Sequence, residues 1–341
     1  MPAEVRVAVA GAGFWAGYQT AAWQELPGVR LVAVCDRDRA RAEHLAALRG
    51  IPAVYTDAAE MLDRETPDLL DVITNPAEHA PVVKLAAGQH VPVVCQKPMT
   101  PTLAGCEDLV EACRRAGVFF AVHENWRWQA PLRAVGAVLD AGTIGRPFRA
   151  RLDFVSGFDV FANQPGLKTE GRFILADMGC HLFDLARCLF GEPEAVYCHA
   201  SRVRPDIRGE DVATAVLRTR DAAVTVNMAY AGTPLEVDPF PETLVFVEGP
   251  RGSVELSAGC RVRVTTADGT RVTRVPPPKY PWANPDYAVV HASVVVCHAD
   301  VLDALRAGRP AATDGADNLR TMRLVEAAYE SAATGASVHA R

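Results

Sequence analysis

Lysine is the scarcest charge in this sequence: four residues, against thirty-one arginines. The bias reads as the mark of a GC-rich genome rather than of a function, and it lets each lysine be weighed individually. No block of basic residues interrupts the chain, and the net charge is −6. That excludes nucleic acid and anionic membrane surfaces as partners, because both need a concentrated positive field. No apolar run approaches the roughly 20 residues that cross a bilayer. No basic-then-apolar leader follows Met1. The expectation is a cytoplasmic protein with no membrane partner. The nine cysteines are scattered, odd in number and never spaced CxxC, which excludes a disulfide framework. They read as reduced, buried thiols; a zinc site is the lesser alternative, and no metal is expected. Internal repeats and low-complexity tracts are also missing.

What is present is an ordinary globular composition, 49% hydrophobic and 22% charged over 341 residues, enough for two domains with separate cores. Short Val-rich runs at Val5–Ala10, Leu31–Cys35, Leu69–Thr74, Val91–Cys95 and Val118–His123 read as buried strands. Between them, Ala16–Leu26, Ala40–Leu48, Ala77–Ala87 and Leu103–Ala116 suit amphipathic helices. Repeated β-α-β units predict an α/β Rossmann domain, a doubly wound parallel sheet, over residues 1–125. From about Arg127 the grammar changes. Pro131–Ala141 reads as a helix ended by Gly142, Phe148–Val155 as a strand, and Asp177–Phe190 as a helix ended by Gly191. Period-two alternation then marks Val212–Arg218, Ala223–Tyr230, Thr243–Val247, Ser253–Leu256 and Arg261–Thr265. A proline-rich loop follows, and helices over Asp286–Ala307 and Asp317–Ala333 close the chain. Residues 126–341 are therefore expected to form an α+β domain with a large open, mostly antiparallel sheet. Its C-terminal helices are placed to pack back on the first domain.

The first strand runs into Gly11-Ala12-Gly13-Phe14-Trp15-Ala16-Gly17, a GxGxxA turn that opens a helix. Gly11 permits the tight turn, Gly13 lets the backbone approach a pyrophosphate, and small Ala16 allows close helix packing. Phe14 and Trp15 sit on the helix start beside it. The second strand ends at Asp36, placed to accept ribose hydroxyls and to repel a 2′-phosphate. Alternatively Asp36 caps the helix that follows. Arg37 could stack on adenine or hold a 2′-phosphate, so NAD is the expected cofactor and NADP stays open. Thr74 and Asn75 end another strand on the ligand edge of the sheet, with His79 one helical turn later; a loop and helix cap is the plainer alternative.

Val93-Val94-Cys95-Gln96-Lys97-Pro98 sets Lys97 directly after a buried strand, near where a nicotinamide would lie. Desolvation there lowers an ammonium pKa and suits proton transfer. Asp177 and His181 share a face at i,i+4 on one expected helix, an imidazole beside a carboxylate, with Asp184 close to the same stripe. The cluster His123, Glu124, Asn125, Trp126, Arg127 and Trp128 mixes ring faces with polar groups, as a sugar pocket does, although the tryptophans could equally be junction core.

Together, the GxGxxA turn, Gln96-Lys97-Pro98 and Asp177-Met178-Gly179-Cys180-His181-Leu182-Phe183-Asp184 resemble the glucose–fructose oxidoreductase / inositol dehydrogenase / rhizopine-catabolism (GFO/IDH/MocA) family. Asn125-Trp126-Arg127-Trp128 and Gly142-Thr143-Ile144-Gly145-Arg146-Pro147 fit that family's domain junction. The resemblance implies an NAD(P)-dependent dehydrogenase of a small sugar or polyol. It implies Lys97, Asp177 and His181 as the catalytic group, with Gln96 beside the cofactor and Glu124, Asn125, Arg127 and Trp128 beside the substrate. Whether Lys97 or His181 takes the hydroxyl proton stays open. It also implies a homo-oligomer, dimer or tetramer, built through the open sheet. One departure is Gln96, where the family usually has Glu; a neutral amide gives the lysine less electrostatic support. Cys95-Gln96-Lys97-Pro98, Asn163-Gln164-Pro165 and Arg208-Gly209-Glu210-Asp211-Val212 resemble more narrowly a subgroup that includes D-apiose dehydrogenases. Such enzymes oxidise a branched pentose at its anomeric carbon to a lactone with NAD. An inositol or polyol dehydrogenase on the same site is the second expectation. A non-catalytic nucleotide-binding sensor is the third, and retention of Lys97, Asp177 and His181 together speaks against it.

Overall fold

The structure is a computed structural model that describes residues 4–233 and 235–340. The chain divides into two compact units: residues up to Glu124 with Val294–Leu319, and Asn125–Ser293 with Arg320 onward.

In the first unit the strands β1 (Val5–Ala10), β2 (Val29–Cys35), β3 (Ala53–Tyr55), β4 (Leu69–Val72), β5 (Val93–Gln96) and β6 (Phe120–His123) alternate with helices. These are α1 (Phe14–Gln24), α2 (Arg39–Arg49), α3 (Ala58–Glu65), α4 (Pro76–Gly88) and α5 (Leu103–Ala116). The sheet order is β3-β2-β1-β4-β5-β6, and the pairings are parallel. Val5, Val7, Ala8 and Val9 are all fully buried, as expected of a strand covered on both faces. The order reverses at β1/β4, which opens the ligand crevice at the strands' carboxyl ends. Caps fix the helix ends: Asp38 accepts from Ala40 N and Arg41 N, and Thr102 accepts from Gly105 N. The core also takes in Val301, Leu302 and Leu305, which belong to a late helix.

The second unit contains α6 (Ala130–Asp140), β7 (Arg149–Val155), α7 (Ile174–Asp177), α8 (Gly179–Phe190), β8 (Ala195–Ser201), β9 (Val212–Arg218) and β10 (Ala223–Ala229). There follow β11 (Leu244–Gly249), β12 (Gly252–Ser257), β13 (Arg261–Thr266), β14 (Gly269–Arg274) and, after the long helices α9 (Ala288–Ala307) and α10 (Gly315–Thr334), β15 (Val338–His339). These strands form one sheet ordered β14-β13-β12-β11-β7-β10-β9-β8-β15. Only β7–β10 is parallel; the other neighbours are antiparallel. Alternate residues such as Leu152, Phe154, Val224 and Val226 are buried on one face. Arg149 and Arg151 are exposed on the other. α8 packs against β10 on this sheet.

Two expectations are corrected. The helix expected over Asp177–Phe190 is interrupted at Met178: Asp177 closes α7, which begins at Ile174, and α8 begins at Gly179. His181 N bonds to Met178 O at 3.1 Å, one residue short of α-helical register. The Asp177 carbonyl thus released accepts instead from the Cys180 thiol at 3.2 Å. Second, among the described residues one helix, Pro285–Ala307, is long and apolar enough to cross a membrane by length and composition, and 72% of its most apolar stretch is buried within the protein. A mostly buried core helix meets the same criterion. Eight of the nine cysteines are buried, Cys188 is exposed, and all are free thiols.

Candidate active site

In the first unit the expected residues converge on the carboxyl edge of the sheet. Gly11 has φ 107°, and a Cβ added there would stand 2.5 Å from Ile73 O, so the turns after β1 and β4 touch and only glycine fits. Gly13 differs: a Cβ there would meet nothing within 4 Å. Packing inside the protein does not demand that glycine, whereas the approach of a pyrophosphate to the backbone does. Gly13 also caps α1 without a side-chain hydrogen bond, leaving the helix start with no side-chain anion from its cap residue. These features fit a dinucleotide. Phe14 and Trp15 lie on the first turn of α1, edge-on to each other and to Tyr18, with ring centroids 5.3 to 6.1 Å apart.

Asp36 does not cap α2; Asp38 does. One carboxylate oxygen of Asp36 accepts from Ala12 N at 2.7 Å and the other from Asp38 N at 2.9 Å. The aspartate is thereby locked against the glycine turn. Arg37 is committed elsewhere: its Nη2 donates to Glu78 Oε2 on α4 at 2.6 Å. Asn75 is the N-cap residue of α4 but gives no side-chain cap. His79 is 1% exposed, its ring nitrogens 3.0 Å from Thr74 O and 2.9 Å from Pro98 O. It thus ties the turn after β4 to the turn after β5. Burial pushes its pKa below the usual imidazole value, while the carbonyls of Thr74, Pro98 and Met99 pull it back. Lys97 is half-buried at the end of β5. The side-chain oxygen of Gln96 accepts from Lys97 N at 2.7 Å, which occupies the amide that stands in for the family's acid. Glu124 is fully buried just beyond β6.

In the second unit, His181 is 4% exposed on α8. Its ring is stacked on Trp126 at 4.5 Å and 22°, and Trp126 Nε1 donates to Thr243 Oγ1 at 2.8 Å. Arg127 forms two hydrogen bonds to Asp184, one of them Nε to Oδ2 at 2.7 Å. Asp184 is fully buried, and Thr321 and Arg187 approach its other oxygen at 3.4 and 3.9 Å. Arg127 therefore anchors the 3-10 turn Trp126–Trp128 to α8. Asn125 Nδ2 donates to Ser293 Oγ at 2.7 Å, a tie within the same unit. Trp128 is half-buried under Arg133 at 5.7 Å. Asp177 is the last residue of α7. Tyr230, which the sequence did not single out, is buried and donates to the Met178 sulfur at 3.6 Å. Burial and then the Asp177 charge raise its pKa far above the usual phenol value. Phe158 stacks on Phe240 at 3.8 Å, with Tyr287 edge-on to both, and Asn163 donates to the Tyr287 hydroxyl at 3.1 Å. No periodicity marks these rings as a group, because they come from three distant loops.

Residues 5–124 match the oxidoreductase-family pattern with an NAD-binding Rossmann fold, and residues 132–255 match the GFO/IDH/MocA C-terminal domain. The chain belongs to the GFO/IDH/MocA family. It is an oxidoreductase whose first unit binds NAD. Among its relatives, D-apiose dehydrogenase of Rhizobium rhizogenes is 41% identical over 336 residues, 98% of this chain and 97% of that protein. D-apiose dehydrogenase of Paraburkholderia graminis is 43% identical over 333 residues, 97% and 88% respectively. An oxidoreductase from Agrobacterium radiobacter, solved with NAD+, L-tartaric acid and magnesium, is 40% identical. It superposes with a TM-score of 0.96 over 99% of this chain and 98% of that one. Levoglucosan dehydrogenase, at 19% identity and a TM-score of 0.86, shares the fold.

Proposed function

We propose that this GFO/IDH/MocA enzyme oxidises D-apiose at its anomeric carbon to the lactone. The observation that carries the reading is near-full-length identity of 41% and 43% to two D-apiose dehydrogenases. When bound, NAD+ would supply the acceptor for the hydride that leaves the carbinol carbon. Lys97, Asp177 and His181 are the catalytic group. Either Lys97 or His181 removes the hydroxyl proton as the C=O bond forms, and the other holds the oxygen. Trp126 keeps the imidazole plane fixed. Asp36 accepts the adenosine ribose hydroxyls with its remaining lone pairs, and the Arg37–Glu78 pair leaves that arginine engaged, which favours NAD over NADP. Glu124, Asn125, Arg127 and Trp128 frame the sugar; Asn125 and Arg127 act chiefly by holding their segment.

We further propose that the enzyme is cytoplasmic and assembles with copies of itself through the nine-stranded sheet. Tyr197 and Val216 are cross-strand partners, 46% and 39% exposed, on the face that carries Arg151 and Phe246.

NADH formation over a panel of D-apiose, other pentoses, hexoses and inositols tests the substrate. The proposal requires D-apiose to give the highest kcat/KM and a lactone product. A higher value with an inositol, or activity with no panel member, overturns it.

A further inference from the structure

The motif Arg208-Gly209-Glu210-Asp211-Val212 lies outside the catalytic group, yet it makes an unusual set of bonds. α7 has four residues, and its N-cap, Phe173, offers no side-chain acceptor. The N–H groups at a helix start have no partners inside the helix. Here four successive ones are met from elsewhere. Phe173 N and Leu175 N both donate to Glu210 Oε1, at 3.1 and 3.2 Å. Ile174 N donates to the Glu210 carbonyl at 3.0 Å. Ala176 N donates to the Tyr329 hydroxyl at 3.1 Å, and that hydroxyl donates in turn to Glu210 Oε1 at 2.6 Å.

The neighbours reinforce the arrangement. A Cβ on Gly209 would stand 2.9 Å from Glu170 O and from Phe173 Cβ, so only glycine lets the two segments lie this close. Arg208 N donates to Lys168 O at 2.9 Å. Arg172 lies over the Tyr329 ring at 3.8 Å and pairs with Glu326 at 2.6 Å. Asp211, fully buried, accepts from Val203 N and Arg204 N at 2.7 and 2.9 Å, which fixes the other side of the motif. A carboxylate at a helix N-terminus is also favoured by the aligned peptide dipoles. The next residue in this capped turn is Asp177, followed by the step in register at Met178 that leads to His181.

We infer that Glu210, backed by Tyr329, is the positioning residue for Asp177: it seats α7 and so sets where the Asp177 carboxylate stands during turnover. Glu210 is assigned no contact of its own with substrate or cofactor; it acts through Asp177. The inference rests on the assignment of Asp177 to the chemistry.

The test uses full-length Glu210→Gln, Glu210→Ala, Tyr329→Phe and Asp177→Asn, with the best sugar of the panel, and kcat expressed per NADH-binding site titrated by fluorescence. A misplaced catalytic group costs about 10²-fold. The expected kcat loss for Glu210→Ala is of that order, with NADH affinity unchanged. Glu210→Gln, whose amide oxygen can still accept, should recover most of it, and Tyr329→Phe should fall between. If Glu210→Ala does not fold, Tyr329→Phe and Glu210→Gln decide. Wild-type kcat per titrated site in Tyr329→Phe and in whichever Glu210 variants fold overturns the inference, and so does an equal loss of NADH affinity. If Asp177→Asn turns over like wild type, the assignment of Asp177 falls first, and the inference with it.

Discussion

Replacing Asp71 by asparagine probes a carboxyl group of the NAD-binding unit that burial strongly perturbs. Asp71 is fully buried in β4. Trp23 Nε1 donates to its Oδ2 at 2.8 Å, and its Oδ1 has no hydrogen-bond partner among the described residues. The His298 ring stacks on Trp23 at 3.8 Å, with Nε2 3.9 Å from Asp71 Oδ2, and His123 meets His298 edge-on at 4.8 Å. Cys95 on β5 is close enough for the Asp71 charge to raise its thiol pKa further. Burial pushes the Asp71 carboxyl from an ordinary 3.8 to about 7, against the pull of the Trp23 hydrogen bond. Burial, and then His123, hold His298 well below the usual imidazole value. Both groups are thus neutral in the folded unit under mildly acidic conditions.

The consequence for stability has a definite sign. Between about pH 4 and pH 7 the folded chain keeps a proton that the unfolded chain has lost, so stability falls as pH rises through that window. At about 1.4 kcal/mol per decade of proton affinity, the shift to about 7 amounts to about 4 kcal/mol once Asp71 is fully ionised. An asparagine in its place would stay neutral throughout and still accept from Trp23, at a cost of about 1 kcal/mol for its extra buried N–H groups. In urea titrations of the cofactor-free protein, Asp71→Asn should match or trail wild type at pH 5 and exceed it at pH 8. Curves that stay parallel across that range refute the reasoning. A wild-type advantage that grows with pH would mean an ionised Asp71 paired with a protonated His298.

Three further outcomes are expected. Lys97→Ala and His181→Ala should each lower kcat by about 10²-fold or more, the scale of a positioned acid–base group; His181→Ala should leave NADH binding, measured by fluorescence, unchanged. Asp36→Ala should narrow the preference for NAD over NADP, and adding Glu78→Gln should raise kcat/KM for NADP+ by up to about fivefold by freeing Arg37, the limit for an exposed ion pair. Arg127→Ala should destabilise the second unit by about 3 kcal/mol in denaturant titrations, because it strips a buried carboxylate of its main partner.

What the sequence made legible follows from how each piece is stabilised. The strands with buried Val and Leu on both faces were readable as apolar runs. β3 was not: its three residues are all half-buried, and three residues carry no period. β14 was missed because all six of its residues are exposed, so it has no alternation to display. β8 and the two-residue β15 were also missed. The break between α7 and α8 was missed because an expected helix begun at Asp177 carries no mark of it, and Ile174 and Leu175, both fully buried, were not read as helical. What separates them is the Cys180 thiol on the Asp177 carbonyl, together with Glu210 and Tyr329, which lie 35 and 153 positions away from the N–H groups they hold.

The expected site residues of the two units are encoded differently, which decides how far sequence reading can carry. In a parallel sheet, topology alone brings every strand's carboxyl end to the same edge, so Gly13, Asp36, Thr74 and Lys97 could be placed by counting strands. Even there, the partners of Asp36, Arg37 and His79 are details of turns that only coordinates supply. The substrate half has no such rule. Arg127 looked like a sugar ligand because it sits between two tryptophans, yet its guanidinium is spent on Asp184, 57 positions away. Asp184 looked like part of a catalytic stripe because it follows Asp177 at i+7, yet it is the buried counterion that holds Arg127. Each residue was noticed for a sound local reason, and the structure pairs the two with each other, tying the Trp126–Trp128 turn to the helix that carries His181. A charge beside a candidate site is therefore best read together with its nearest buried counter-charge, because a fully buried carboxylate claims an arginine more strongly than a neutral sugar can.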